Sequence, residues 1–93
     1  MVVSLITVKL YAPWVHSLKE KRMIVKSLCQ KLRQRFNVSV IESAAQDIQQ
    51  TIIISVAFLT DNQARADQLS EKISRFLEEN TDAEIVELTI EQV

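Results

Sequence analysis

The spacing of apolar positions along the chain switches between two and about 3.6 residues, and each switch marks an element. Val2 to Tyr11 is rich in β-branched residues, with Ser4, Thr7 and Lys9 set between apolar positions, which predicts a strand covered mainly on one face. Pro13 breaks that pattern. Ser17, followed three residues later by Glu20, forms a capping box in which each side chain satisfies a free backbone N–H of the first turn. At about 100° per residue, Leu18, Val25, Leu28, Cys29, Leu32 and Phe36 then fall on one stripe, predicting a helix from Ser17 to Arg35. Asn37 ends it. Val38 to Ser43 reads as a second strand, Ala44 to Gln50 as a hairpin connection, and Thr51 to Leu59 as a third, strongly β-branched strand. Thr60, Asp61 and Asn62 offer N-cap chemistry for a second helix whose Ala66, Leu69, Ile73, Phe76 and Leu77 share a face. Asn80 and Asp82 close that helix, and Ala83 to Val93 is a last strand with glutamates at alternating positions.

The order βαββαβ, with right-handed crossovers, leaves few topologies. It predicts an α+β fold, a ferredoxin-like sandwich over residues 1–93 as a single domain, with an antiparallel sheet ordered 4-1-3-2 and two helices on one face. Ile6, Val8, Leu10, Val38, Val40, Ile52, Ile54, Val56, Phe58, Val86, Leu88 and Ile90 are expected to face the helices. The opposite sheet face carries Leu5, Ile41, Ile53 and Leu59 among polar residues, a mixture apolar enough to suggest a covering partner.

Composition narrows the chemistry. There is no glycine, which excludes every phosphate-cradling loop written in glycines, and one cysteine and one histidine leave neither a disulfide nor a multi-histidine metal cluster. No catalytic residue, metal site or cofactor is therefore expected. Cys29 lies on the apolar stripe as a buried, inert thiol, and Trp14 beside Pro13 reads as an anchor of the loop on the core rather than a stacking platform. The N-terminus shows no basic, apolar and cleavage-site pattern, and no apolar run is long enough for a bilayer, so a cytoplasmic protein without membrane contact is expected.

The net charge of −1 conceals an imbalance: residues 1–60 sum to +5 and residues 61–93 to −6. Lys19, Arg22, Lys26 and Arg33 lie within a sector of roughly 60° beside the apolar stripe of the first helix. Asp67, Glu71 and Glu78 hold the corresponding flank of the second. Right-handed crossovers turn the two ridges away from each other, placing the basic one over strand two, while Lys31, Arg35, Arg65 and Lys72 make the groove between the helices positive. The basic ridge has three readings: a solvated helix face, a phosphate-contacting surface for RNA, or an edge that meets the acidic edge of another copy. His16, close to Lys19, Lys21 and Arg22 at the helix start, could join an anion contact, although a bare residue before the cap is the more economical reading.

The strings His16–Arg22, HSLKEKR, and Arg35–Val40, RFNVSV, together with Pro13, resemble the YlxP-like family of short bacterial proteins, and the similarity extends over essentially the whole chain. The resemblance implies a ferredoxin-like fold, no catalytic residues to carry over, and, by the association of such proteins with translation and ribosome-maturation genes, an RNA-linked or ribosome-linked role. Ala45 and Gln49 stand where relatives often carry histidine and tryptophan, and Ser55 where glycine is common, so a function of that hairpin histidine is not expected here. Two expectations follow. The first is a non-enzymatic module contacting ribosomal RNA or a ribosomal subunit through Lys19, Arg22, Lys26 and Arg33, with His16 beside them. The second is a homo-oligomer or protein-interaction domain using Leu5, Ile41, Ile53 and Leu59 of the open sheet face together with the oppositely charged edges.

Overall fold

A computed structural model describes all 93 residues as β1 (Val2–Tyr11), α1 (Leu18–Arg35), β2 (Ser39–Ala44), β3 (Thr51–Thr60), α2 (Gln63–Asn80) and β4 (Glu84–Gln92). All strand pairings are antiparallel and the sheet order is β2-β3-β1-β4, the ferredoxin-like arrangement expected from the element order. The predicted boundaries shift by a residue at most strand and helix ends, as frayed termini do.

The core lies between the sheet and the helices. Ile6, Val8 and Leu10 of β1 and Ile52, Ile54 and Val56 of β3 are wholly buried, and they meet Val25, Leu28, Cys29 and Leu32 of α1 with Ile73 and Leu77 of α2. The period of two in the strands and 3.6 in the helices accounts for this set, since each places one face against the other layer. α1 packs over β2, and α2 over β1 and β3.

Two departures from strict alternation sit on the two edge strands. Lys9 pairs Glu87 while Leu10 pairs Ile85, which leaves Val86 as an extra residue in β4. Ile85 therefore packs on the core in place of Val86, and Val86 and Ile90, expected to face the helices, are half exposed. Likewise Glu42 pairs Ile54 while Ala44 pairs Ile53, leaving Ser43 extra in β2. A bulge twists an edge and spoils its template for a further strand, and both open edges carry one.

Ser4 and Ser70 are buried with hydroxyls that have no hydrogen-bond partner. Each forfeits hydrogen bonds with water and gains nothing in return. Replacing Ser70 by alanine, the better helix former, is expected to raise unfolding stability by about 1 kcal/mol, measured by urea denaturation. A loss of stability would mean that the hydroxyl has a partner after all.

Candidate functional site

The start of α1 is built as the capping box requires, with one shift. Ser17 is the N-cap, in extended conformation, and its Oγ accepts from the Glu20 N–H at 3.1 Å. Glu20 reaches one residue further back than the simple box, its Oε2 accepting from the backbone N–H of His16 at 3.3 Å. The first turn thus holds its own carboxylate where a solute anion would sit, bonded to the backbone of His16, whose side chain is exposed.

Lys19, Arg22 and Lys26 are exposed along α1, and none has a carboxylate within 4.0 Å: the ion pairs of the chain are Lys21–Glu42, Arg65–Asp61 and Arg75–Glu71. Arg33 continues the ridge but is tied down, its Nη2 donating to the Val40 carbonyl of β2 at 2.6 Å. This bond fixes the end of α1 over the β2 edge, and the remaining N–H groups of the guanidinium are left to other acceptors.

Lys21 behaves differently from its neighbours. It is 1% exposed, and its ammonium donates to the carbonyls of Ala45, Gln46 and Ile48 while pairing with Glu42 Oε2 at 2.9 Å. Those carbonyls belong to the β2–β3 connection, where Ala45 adopts φ 57, a left-handed conformation that costs an alanine about 1–2 kcal/mol. Gln50 adds a second tie, its Nε2 donating to the carbonyls of Pro13 and Val15 and its carbonyl accepting from the Ala12 N–H at 2.8 Å. Sequence reasoning placed Lys21 beside His16 as one more surface cation. The signal was present, however: on the helical wheel Lys21 falls between Leu28 and Leu32, inside the apolar stripe, and Glu42 follows Val40 by two on the helix-facing side of its strand.

Near this pair lies Cys29, 5% exposed. Burial pushes its thiol up from the ordinary value, the Arg33 guanidinium opposing the shift and the Glu42 carboxylate adding to it. A protonated, enclosed thiol is a poor nucleophile. No group of three or more histidine, cysteine, aspartate or glutamate side chains converges to hold a metal ion, and no helix is long and apolar enough to cross a membrane.

On the open sheet face, Ile41 and Leu59 are 59% and 64% exposed, whereas Leu5 and Ile53 are half buried. Leu59 lies diagonally from Leu5 across the β1–β3 pairing, and Ile41 pairs Ser55, next in register to Ile53. Hydroxyls separate the two apolar pairs: Thr7 Oγ1 lies 3.3 Å from Ser55 Oγ, which in turn lies 2.7 Å from Ser43 Oγ.

The groove between the helices is a third surface. At its basic end a cleft of about 190 Å³ is lined by Arg35, Phe36, Lys72, Arg75, Phe76 and Glu79. The Phe36 and Phe76 rings meet edge to face at 5.4 Å, and the Arg35 guanidinium lies 5.5 Å from the Phe36 centroid. Arg65, also expected to make this groove positive, pairs with Asp61 at 3.6 Å at the start of α2. Trp14 does not anchor the loop; Ala12 and Val15 are the buried residues there, and Trp14 is 41% exposed.

A family model described as protein of unknown function (DUF503) matches residues 3–90. No curated protein matches the chain.

Removing the Lys21 ammonium would leave Glu42 and the carbonyls of the connection without their donor. Lys21→Met is expected to cost about 3–5 kcal/mol by denaturant unfolding, and Glu42→Gln only about 1–2 kcal/mol because the carbonyls still hold the ammonium. Equal losses from the two changes would contradict this arrangement. In the unaltered protein, Cys29 is expected to react with a maleimide only at the rate of global unfolding, so that rapid labelling under native conditions would show the thiol to be accessible.

Proposed function

The chain belongs to this DUF503 family, and we propose that it is a small cytoplasmic, non-enzymatic accessory module that binds RNA, as ribosomal RNA or a ribosomal subunit, through the outer face of α1. Within that reading the HSLKEKR and RFNVSV strings make it a YlxP-like member.

The observation that carries the proposal is the unpaired state of Lys19, Arg22 and Lys26 on one helix, none of them with a carboxylate within 4.0 Å. A cation already paired gains little from a phosphate, because it exchanges one anion for another. A free one releases the counterions condensed on the nucleic acid, which is the main source of sequence-independent affinity. Spacing at i, i+3 and i+7 lines these three up along about 10 Å of helix, a span suited to successive phosphates. Carboxylates are gathered at the other end of the chain, Asp67, Glu71 and Glu78 on α2 and Glu84, Glu87 and Glu91 on β4, and repulsion from them would orient the basic side toward a polyanion.

Binding to ribosomal subunits or RNA is expected to weaken steeply with salt. Lys19→Ala combined with Lys26→Ala is expected to reduce the slope of log affinity against log salt by about 1.5–2 units. Salt-insensitive binding, or a slope unchanged by the double substitution, would count against the proposal.

A second reading, self-association through the open sheet face, draws on the exposure of Ile41 and Leu59. Light scattering separates it: a mass twice that of the monomer, reduced by Ile41→Lys or Leu59→Lys, supports association, and a strict monomer at micromolar concentration removes it.

A further inference from the structure

We infer that the groove between α1 and α2 receives a short single-stranded segment of RNA, a base resting on Trp14 and the following phosphates lying along Lys31, Arg35 and Lys72. The inference rests on the RNA reading above and adds to it a second, differently built surface.

The groove is continuous because its parts share walls. At one end, an open space of about 350 Å³ is bordered by Trp14, Met23, Ile24 and Leu28 on the α1 side and by Asn80, Thr81 and Asp82 at the end of α2. Lys31 lines this part and also the next, where it is joined by Gln34, Arg35 and Phe76. Arg35 and Phe76 then line the basic cleft with Lys72 and Arg75. From Met23 to Arg35 the groove follows α1 for about 18 Å, room for a few nucleotides rather than for one small metabolite.

Its chemistry changes along that length in the way a single strand requires. The first part sets Trp14, Met23, Ile24 and Leu28 against a polar rim of Asn80, Thr81 and Asp82, and offers the only tryptophan of the chain, 41% exposed. The second part is cationic: Lys31, Arg35 and Lys72 have no carboxylate within 4.0 Å, Arg75 is held by Glu71, and Glu79 is the one acid lining the cleft. A stacking surface followed by backbone cations is how proteins hold single strands, since every base has a π face and every linkage a charge. A duplex suits the groove less well, because its bases are already stacked and its phosphates lie on a convex surface. The excess of unpaired cations makes a strand of negative charge the complementary occupant.

Intrinsic emission of Trp14 reports the event, since no other tryptophan contributes. The full chain is titrated at low salt with an oligouridylate dodecamer, a duplex RNA of the same length, and an oligoglutamate of matched charge. The single strand is expected to quench Trp14 and to bind about tenfold more tightly than the duplex. Trp14→Ala is expected to cost about tenfold in affinity without changing the salt slope, while Trp14→Phe retains most of the binding and checks that the loop still folds. Arg35→Ala with Lys72→Ala should lower the slope by about 1.4 units. Binding of the oligouridylate that neither quenches Trp14 nor responds to Trp14→Ala would confine RNA to the outer ridge, overturning the groove and leaving the proposed function intact. Failure of both RNAs to bind would overturn the two together, and equal binding and quenching by oligoglutamate would overturn the assignment of ligand class.

Discussion

A buried ammonium, that of Lys21, is the constraint on which the arrangement of this domain depends. A lysine charge removed from water is tolerable only where polar groups replace the lost hydration, and here the replacements come from one place, the carbonyls of Ala45, Gln46 and Ile48 with the Glu42 carboxylate beside them. The connection between β2 and β3 is thereby folded around a side chain of α1. It can hold Ala45 in a left-handed conformation in a chain that has no glycine to place there. Gln50 carries the same tie to the loop before α1, and Arg33 repeats it at the helix's far end through the Val40 carbonyl. α1 is consequently fastened to the β2 side of the sheet at both ends by polar contacts, in addition to the apolar stripe it buries.

That fastening sorts the cations of α1. Lys21 is drawn inside and Arg33 is partly engaged, whereas Lys19, Arg22 and Lys26 are exposed on a helix fastened at both ends. A rigid row of free charges loses less entropy on meeting a polyanion than the same charges on a flexible segment. The sheet contributes by what it avoids. Bulges at Ser43 and Val86 distort both edges, and the hydroxyls of Thr7, Ser55 and Ser43 interrupt the apolar part of the open face. The unpaired cations are therefore concentrated on the outer side of α1 and in the groove beside it.

Much of this was legible from residue order. The alternation in Val2–Tyr11 and Thr51–Leu59 and the stripe from Leu18 to Phe36 are strong periodic signals, and with right-handed crossovers they determine the sheet order. The capping Ser17 and the inert Cys29 followed from equally local rules. The exchange of Val86 for Ile85 did not, because a bulge depends on the partner strand and leaves the pattern of β4 itself unmarked. The size of Trp14 does not predict its place: the smaller Ala12 and Val15 are wholly buried in the loop while the large ring is 41% exposed. Lys21 was missed because charge outweighed position, although its place between Leu28 and Leu32 on the wheel pointed inward. A lysine within an apolar stripe, opposite a glutamate on the facing side of a strand, is the pattern of a buried ion pair.

Treating the native protein briefly with an amine-acylating reagent and locating the modified lysines by mass spectrometry tests the sorting of these charges most directly. Lys19 and Lys26 are expected to react at the rate of free lysine, and Lys21, two positions from the first of them, to remain unmodified until the protein unfolds. Modification of Lys21 alongside its neighbours, or protection of Lys19 and Lys26 together with it, would contradict the account.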